Sequence, residues 1–161
     1  METNGHVAVF WDYENCRPPS SASGYDVVTK IRRAVRAYGS ITYFKAYLDV
    51  PLETTNPRSL NLHSGLQASG GTLAYCPHSG KKDVADKTML VDMIAYAIDR
   101  PAPATIVLIS GDRDFAYGIS TLRLRGYDVV VIVPPSAHSS VRSQATFTGQ
   151  RHYHPSHHQD I

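Results

Sequence analysis

Ala-Thr-Ile-Val-Leu-Ile-Ser-Gly-Asp-Arg-Asp-Phe-Ala-Tyr-Gly, residues 104–118, is the stretch whose reading decides the fold of this chain. Residues 106–109 are a short apolar run rich in β-branched side chains, which reads as a strand buried on both faces. The run breaks at Ser110-Gly111. Asp112 and Asp114 follow at once, and an apolar helical pattern begins at Phe115. Two aspartates on the lip of a buried strand concentrate negative charge. Such a lip is tolerable if it is wet, if Asp114 only caps the helix, or if a cation sits there.

The same strand-then-helix unit recurs on both sides of this stretch. Residues 6–11 form a first strand that ends on Asp12, and Pro18-Pro19 force a loop after it. Residues 25–38 carry Val27, Val28, Ile31, Val35 and Tyr38 at helical spacing, with Lys30, Arg32, Arg33 and Arg36 between them. Gly39 ends that helix. A second strand is expected over 41–48, a polar loop over 49–58, a short helix over 59–68 and a third strand over 72–76. The longest helix is expected over 81–100, the helix after the opening stretch over 115–125, and a fifth strand over 128–133. Alternating strands and helices predict an α/β fold with a Rossmann-like, doubly wound, mainly parallel five-stranded sheet. Right-handed crossovers favour the order 3-2-1-4-5 with helices on both faces. The domain then spans 6–134, after an N-terminal tail of residues 1–5. Residues 135–161 hold a partial helix near 139–145 and a His-rich tail at 152–158 that is expected to be solvated.

Composition permits this domain and narrows its class. The chain has 161 residues, of which 42% are hydrophobic and 19% charged, as in ordinary globular domains. A formal net charge of +2 permits a nucleic-acid partner without requiring one. Cys16 and Cys76 are far apart and form no CxxC pair, so two reduced thiols are expected rather than a zinc site. No basic apolar leader opens the sequence, and no apolar run approaches about 18 residues, so neither a targeting peptide nor a membrane span is expected. The expectation is an intracellular, most simply cytoplasmic, protein.

In an open parallel sheet ligands bind outside the carboxyl ends of the strands, where the winding reverses. With the expected order that crevice lies between the first and fourth strands, whose ends carry Asp12 and Asp112. At about 100° per residue, Asp83, Asp86, Leu90, Met93, Ile94 and Ala97 share the core-facing stripe of the long helix, which puts Asp83 and Asp86 at the same edge. Asp92 and Asp99 fall on the opposite side and read as solvated. Each acid alone has a plain structural reading: turn chemistry at a strand end, a cap, or a helix dipole. Together Asp12, Asp86, Asp112 and Asp114 come from three segments, and four like charges repel unless a cation or protons intervene. Hard oxygen ligands suit Mg²⁺ or Mn²⁺, which activate water against phosphate esters. Lys81, Lys82, Arg113 and Arg17 border the edge and are candidate phosphate contacts. Arg32, Arg33 and Arg36 read as a solvated helix flank. Tyr13 and Tyr117 could stack bases or pack against the core.

Two active-site designs carry an aspartate at the first strand and Gly-Asp-x-Asp at the fourth. A haloacid-dehalogenase-type phosphatase needs a second aspartate where this chain has Glu14, so that match is poor. Phe10-Trp11-Asp12-Tyr13-Glu14-Asn15, Lys82-Asp83-Val84-Ala85-Asp86-Lys87 and Ser110-Gly111-Asp112-Arg113-Asp114-Phe115 resemble the three acidic motifs of NYN domains, a branch of the PIN-like nucleases. Phe-Trp-Asp-x-Glu-Asn-Cys at 10–16 and Pro-Ala-Pro-Ala-Thr at 101–105 are similar to the limkain-type members of the meiosis regulator and mRNA stability factor family. The resemblance covers roughly 6–134. It implies a metal-dependent endoribonuclease on a PIN-like sheet, acting on RNA that is expected to be single-stranded. Its Mg²⁺ or Mn²⁺ ligands would be Asp12, Asp86, Asp112 and Asp114, Asn15 would orient Asp12 or the substrate, and Ser110 would shape the lip. A non-catalytic RNA-binding module on the same fold is the alternative. Protein partners or a homodimer would then assist substrate selection, and the resemblance carries a link to peroxisomes. Family members usually continue past the fifth strand with a helix and a last strand, whereas here the apolar pattern fails from Thr146.

Overall fold

Side-chain parity along the strands builds the molecule. In β1 (His6–Asp12), Val7, Val9 and Trp11 point to one face of the sheet, and Ala8 and Phe10 point to the other. In β4 (Thr105–Ile109), Val107 and Ile109 join the first set, and Ile106 and Leu108 join the second. Every residue of β4 is buried, as a strand covered on both faces must be. The computed structural model describes residues 5–19, 21–48, 57–77 and 83–134, with the backbone of 147–148.

The other strands are β2 (Ser40–Leu48), β3 (Thr72–Tyr75), β5 (Asp128–Val133) and a two-residue β6 (Phe147–Thr148). The sheet runs β3-β2-β1-β4-β5-β6, and every pairing is parallel. The five longer strands therefore take the expected order. The sixth strand extends the β5 edge beyond the five that were expected, where Ile132 pairs with Phe147. Two aromatic or β-branched residues suffice for such a pairing but are too short a signal to read as a strand.

Among the described residues two helices cover each face. α1 (Gly24–Val35) and α2 (Pro57–Ala68) pack Val28, Ile31, Val35, Leu62 and Leu66 against the Val7–Val9–Trp11 side. Ser23 caps α1, its Oγ accepting from the Asp26 amide at 3.0 Å. α3 (Val84–Asp99) and α4 (Ala116–Leu124) pack Met89, Met93 and Ile119 against the Phe10–Leu108 side. Among the described residues no helix is long and apolar enough to cross a membrane. The partial helix expected near 139–145, the His-rich stretch at 152–158 and most of the polar loop at 49–58 lie outside the described residues. Pro57 and Arg58 of that loop instead open α2.

α3 differs from its expected phase. Its buried line runs through Met89 and Met93, with Tyr96 and Ala97 packed beside them, while Ile94 is 58% exposed. The rotation has a cause in β2. Lys45 shares the sheet face of Tyr43 and Tyr47, and a cation there needs a partner. Asp92 supplies it, accepting from Lys45 Nζ at 2.6 Å and from the Tyr47 hydroxyl at 2.7 Å. Asp92 is thus a half-buried structural acid rather than a solvated one. Asp83, expected on the core-facing stripe, is instead exposed and pairs with Lys87 at 2.6 Å.

Candidate acidic site

The parity that builds the core also sets the site. Asp12 follows Ala8 and Phe10 in phase, so its side chain lies on the α3 side of the sheet. The register places Trp11 beside Ile109, so the next neighbours across the β1–β4 seam are Asp12 and Ser110. Ser110 Oγ donates to Asp12 Oδ2 at 2.9 Å. Asn15, in the turn after β1, donates from Nδ2 to Asp12 Oδ2 at 3.0 Å and to Oδ1 at 3.2 Å. Asp12 is 1% exposed, and burial raises its carboxyl above the ordinary range despite these bonds, with the charge of Asp112 adding to the rise.

Asp112 lies two residues beyond Ser110 and is tied back to it, its amide donating to Ser110 Oγ at 3.1 Å. Its Oδ1 accepts from the Asp114 amide at 2.9 Å, capping a short 3₁₀ turn over Arg113–Phe115 that leads into α4. The capping role open to Asp114 therefore belongs to Asp112. Asp114 is exposed and free of cap duty.

Asp86 completes the group from the first turn of α3. Its carboxyl is pushed up from 3.8 to about 7, chiefly by burial, then by the charges of Asp12 and Asp112, a hydrogen bond with Asp112, and the charge of Asp114. The four acids singled out in the sequence thus feel one another at a single edge. All their donors are hard oxygens, which fits Mg²⁺ or Mn²⁺ in chemistry. Among the described residues no three His, Cys, Asp or Glu side chains are drawn into a ready-made ligand group. Mg²⁺ does not demand one, because it keeps several waters and is held through one or two carboxylates plus substrate phosphates.

The NYN domain model matches residues 6–149. The chain belongs to the NYN domain family. Meiosis regulator and mRNA stability factor 1 from Mus musculus and from Bos taurus are each 32% identical to it over 133 residues, covering 82% of this chain. The Gallus gallus protein of the same name is 31% identical over 133 residues. The chain spans about 7% of the length of these relatives. A crystal structure of a Vibrio parahaemolyticus protein of unknown function shares the fold, with a TM-score of 0.68 at 19% identity, covering 92% of this chain and 93% of that one.

Around the acids of this NYN domain the other candidates fall unevenly. Arg113 is exposed beside Asp112 and Asp114. Arg17 is held by Glu14 at 2.9 Å, which also occupies the side chain that a phosphatase would need as its acid. Lys81 and Lys82 lie outside the described residues. Tyr13 is 3% exposed and packs between Trp11 and His63, with ring centroids 5.2 Å and 5.5 Å away, so it has no free face for a base. Tyr117 is 84% exposed at the start of α4. The Cys16 thiol, pushed up to about 12 by burial and by Asp12, is an inert neighbour rather than a nucleophile. The direct Ser110–Asp12 bond is the feature least visible beforehand. Its signal was the register, since adjacent parallel strands that end together bring their last side chains together.

Proposed function

We propose that this NYN domain is a metal-dependent endoribonuclease that hydrolyses phosphodiester bonds of single-stranded RNA, using Mg²⁺ or Mn²⁺, in RNA turnover or the regulation of gene expression. The observation that carries the reading is the gathering of Asp12, Asp86, Asp112 and Asp114 at one edge of the sheet, close enough that burial and the three neighbouring carboxylates raise the Asp86 carboxyl. A binding-only surface has no use for such repulsion. The family and the names of the relatives support RNA as the substrate class.

In this reading Asp12, Asp86, Asp112 and Asp114 hold the metal. A bound divalent ion would lower the pKa of its water and offset charge on the phosphate. Ser110 and Asn15 fix the Asp12 carboxylate so that it need not reorganise. The cap bond to the Asp114 amide fixes Oδ1 of Asp112 and leaves Oδ2 for the edge. Asp86 would hold a cation as its carboxylate, so the proton it carries in the free protein would be released on metal binding. Arg113 stands where it can meet a phosphate flanking the scissile bond.

The dispersed ligand group favours one second reading, a non-catalytic RNA-binding module. Purified protein with labelled single-stranded RNA, in Mn²⁺ and in EDTA, separates the two. Metal-dependent cleavage abolished in Asp112→Asn supports the nuclease. Binding without cleavage in any divalent metal, or cleavage undiminished in Asp112→Asn, rejects it.

A further inference from the structure

The opposite end of the sheet carries the opposite charge. A cleft of about 730 Å³ opens where α1 ends and β2 begins. Arg32, Arg33 and Arg36 line it together with Ser40, Thr42 and Ser69, and among the described residues no acidic one does. Cations near the last turn of a helix are favoured by its dipole, which explains why arginines are tolerated there. It does not explain what neutralises them. None of the three makes an ion pair or side-chain hydrogen bond among the described residues. Arg32 and Arg36 stand one turn apart, about 6 Å along the axis, so they offer separate cations to an extended polyanion rather than converging on one group. Ser40 adds a neutral donor of the kind that holds phosphate oxygens, whereas the Ser69 hydroxyl is committed to the Gly65 carbonyl at 2.7 Å.

The acidic edge makes such a surface useful. The acids gathered around Asp12 and Asp112 repel a phosphodiester chain until a cation is bound, and Arg17 is already tied to Glu14. Arg113 is one exposed cation at that edge, and further ionic affinity for RNA has to come from elsewhere. His6 at the start of β1 pairs with Ser40 in the cleft, and Asp12 ends the same strand. The two sites are therefore on the order of 20 Å apart along the strands. We propose that the cleft of Arg32, Arg33 and Arg36 is a second RNA-contact site, which grips the phosphate backbone of a strand whose other part lies at the acidic edge. This inference rests on the RNA reading above. It assigns a role to arginines that the sequence left as a solvated flank.

The test is fluorescence anisotropy with the full chain and a labelled single-stranded RNA long enough to reach both sites, in EDTA, over a range of salt. The triple variant Arg32→Ala, Arg33→Ala, Arg36→Ala should bind about tenfold or more weakly. Its slope of log K against log salt should fall by about 2, near 0.7 for each phosphate that is no longer neutralised. A triple Arg→Lys variant should retain the slope, because charge rather than a fixed fork is what a backbone contact needs. All three side chains are exposed, and thermal melting of each variant checks that the fold is kept. Unchanged affinity and slope in the alanine variant, or no salt-dependent RNA binding by the parent chain, overturns the proposal. So does loss of binding to poly-glutamate with RNA binding retained, which would assign the cleft to an acidic polypeptide. Because the readout is binding in EDTA, failure of the hydrolysis reading would leave this result standing, and absence of the arginine effect would leave hydrolysis standing.

Discussion

Ser110 Oγ donates to Asp12 Oδ2 at 2.9 Å across the seam between β1 and β4. The bond joins the ends of the two strands at which the winding reverses, and it falls on a carboxylate that burial already disfavours as an anion. Removing the donor in Ser110→Ala leaves Asn15 as the remaining side-chain donor to Asp12. The variant should stay folded but lose about 10–100-fold in divalent-metal affinity, the usual cost of removing a group that orients a ligand. Titration calorimetry with Mn²⁺ reads this directly, and wild-type affinity in the variant would show that Ser110 does not support the ligand.

Asp86 makes a distinct contribution to the pH dependence of the metal-free protein. Its carboxyl lies near 7 in the folded chain against an ordinary 3.8. The folded state thus holds a proton that the unfolded state releases, so stability falls as pH rises from about 4 to about 7. Asp86→Asn removes the Asp86 share of that dependence. Its melting temperature relative to the parent should be similar near pH 4 and progressively higher toward pH 7 in EDTA. Millimolar Mn²⁺ should narrow the difference at pH 7 by stabilising the parent alone. A gap between the two proteins that does not widen with pH would place Asp86 away from the other carboxylates.

The acidic edge was legible because it rests on topology. Strand ends and a right-handed winding place Asp12 and Asp112 together whatever the side-chain details. The assignments that failed depended on rotation instead. Projection at 100° per residue cannot say where the centre of a helix's buried face lies when Leu90, Met93, Ile94 and Met89 are all apolar. Lys45 decides it by drawing in Asp92, and the two are 47 residues apart. Asp112 rather than Asp114 caps because the chain enters a 3₁₀ turn at Arg113, a choice made by backbone geometry that both aspartates would have served. Tyr13 takes the packing alternative rather than the stacking one, because α2 brings His63 over it.

The Lys45–Asp92–Tyr47 cluster gives a prediction about stability alone. Lys45 and Asp92 are each about three-quarters buried, at 25% side-chain exposure. Asp92→Ala strands the ammonium and the Tyr47 hydroxyl and should cost about 1–3 kcal/mol by urea denaturation. Adding Lys45→Met to that variant should recover part of the loss, since an unpaired cation is then no longer buried. Burial pushes the Asp92 carboxyl up, but hydrogen bonds from Lys45 and Tyr47 outweigh it and hold the carboxyl below its usual range. Its contribution is therefore present above about pH 4 and lost as the pH falls below that, opposite in sign to Asp86. Additive single and double variants would show that the cluster is not coupled.

α1 approaches α2 closely at Gly24, and that approach separates two kinds of glycine in this chain. A Cβ on Gly24 would stand 2.3 Å from the Leu66 amide nitrogen and 2.7 Å from the Gly65 Cα. These are backbone atoms of a packed helix and cannot swing aside. Gly24→Ala should force α1 away from α2 and cost about 1–3 kcal/mol, as overpacking does. Gly118 in α4 offers the contrast, because a Cβ there would meet only Leu90 Cδ2, at an ordinary 3.7 Å. Gly118→Ala should therefore gain about 0.5–1 kcal/mol from reduced backbone entropy in the unfolded chain. Thermal melts of the two variants should move in opposite directions. A neutral Gly24→Ala would mean that the two helices can separate without loss, and that the cover of the Val7–Val9–Trp11 face is looser than its packing shows.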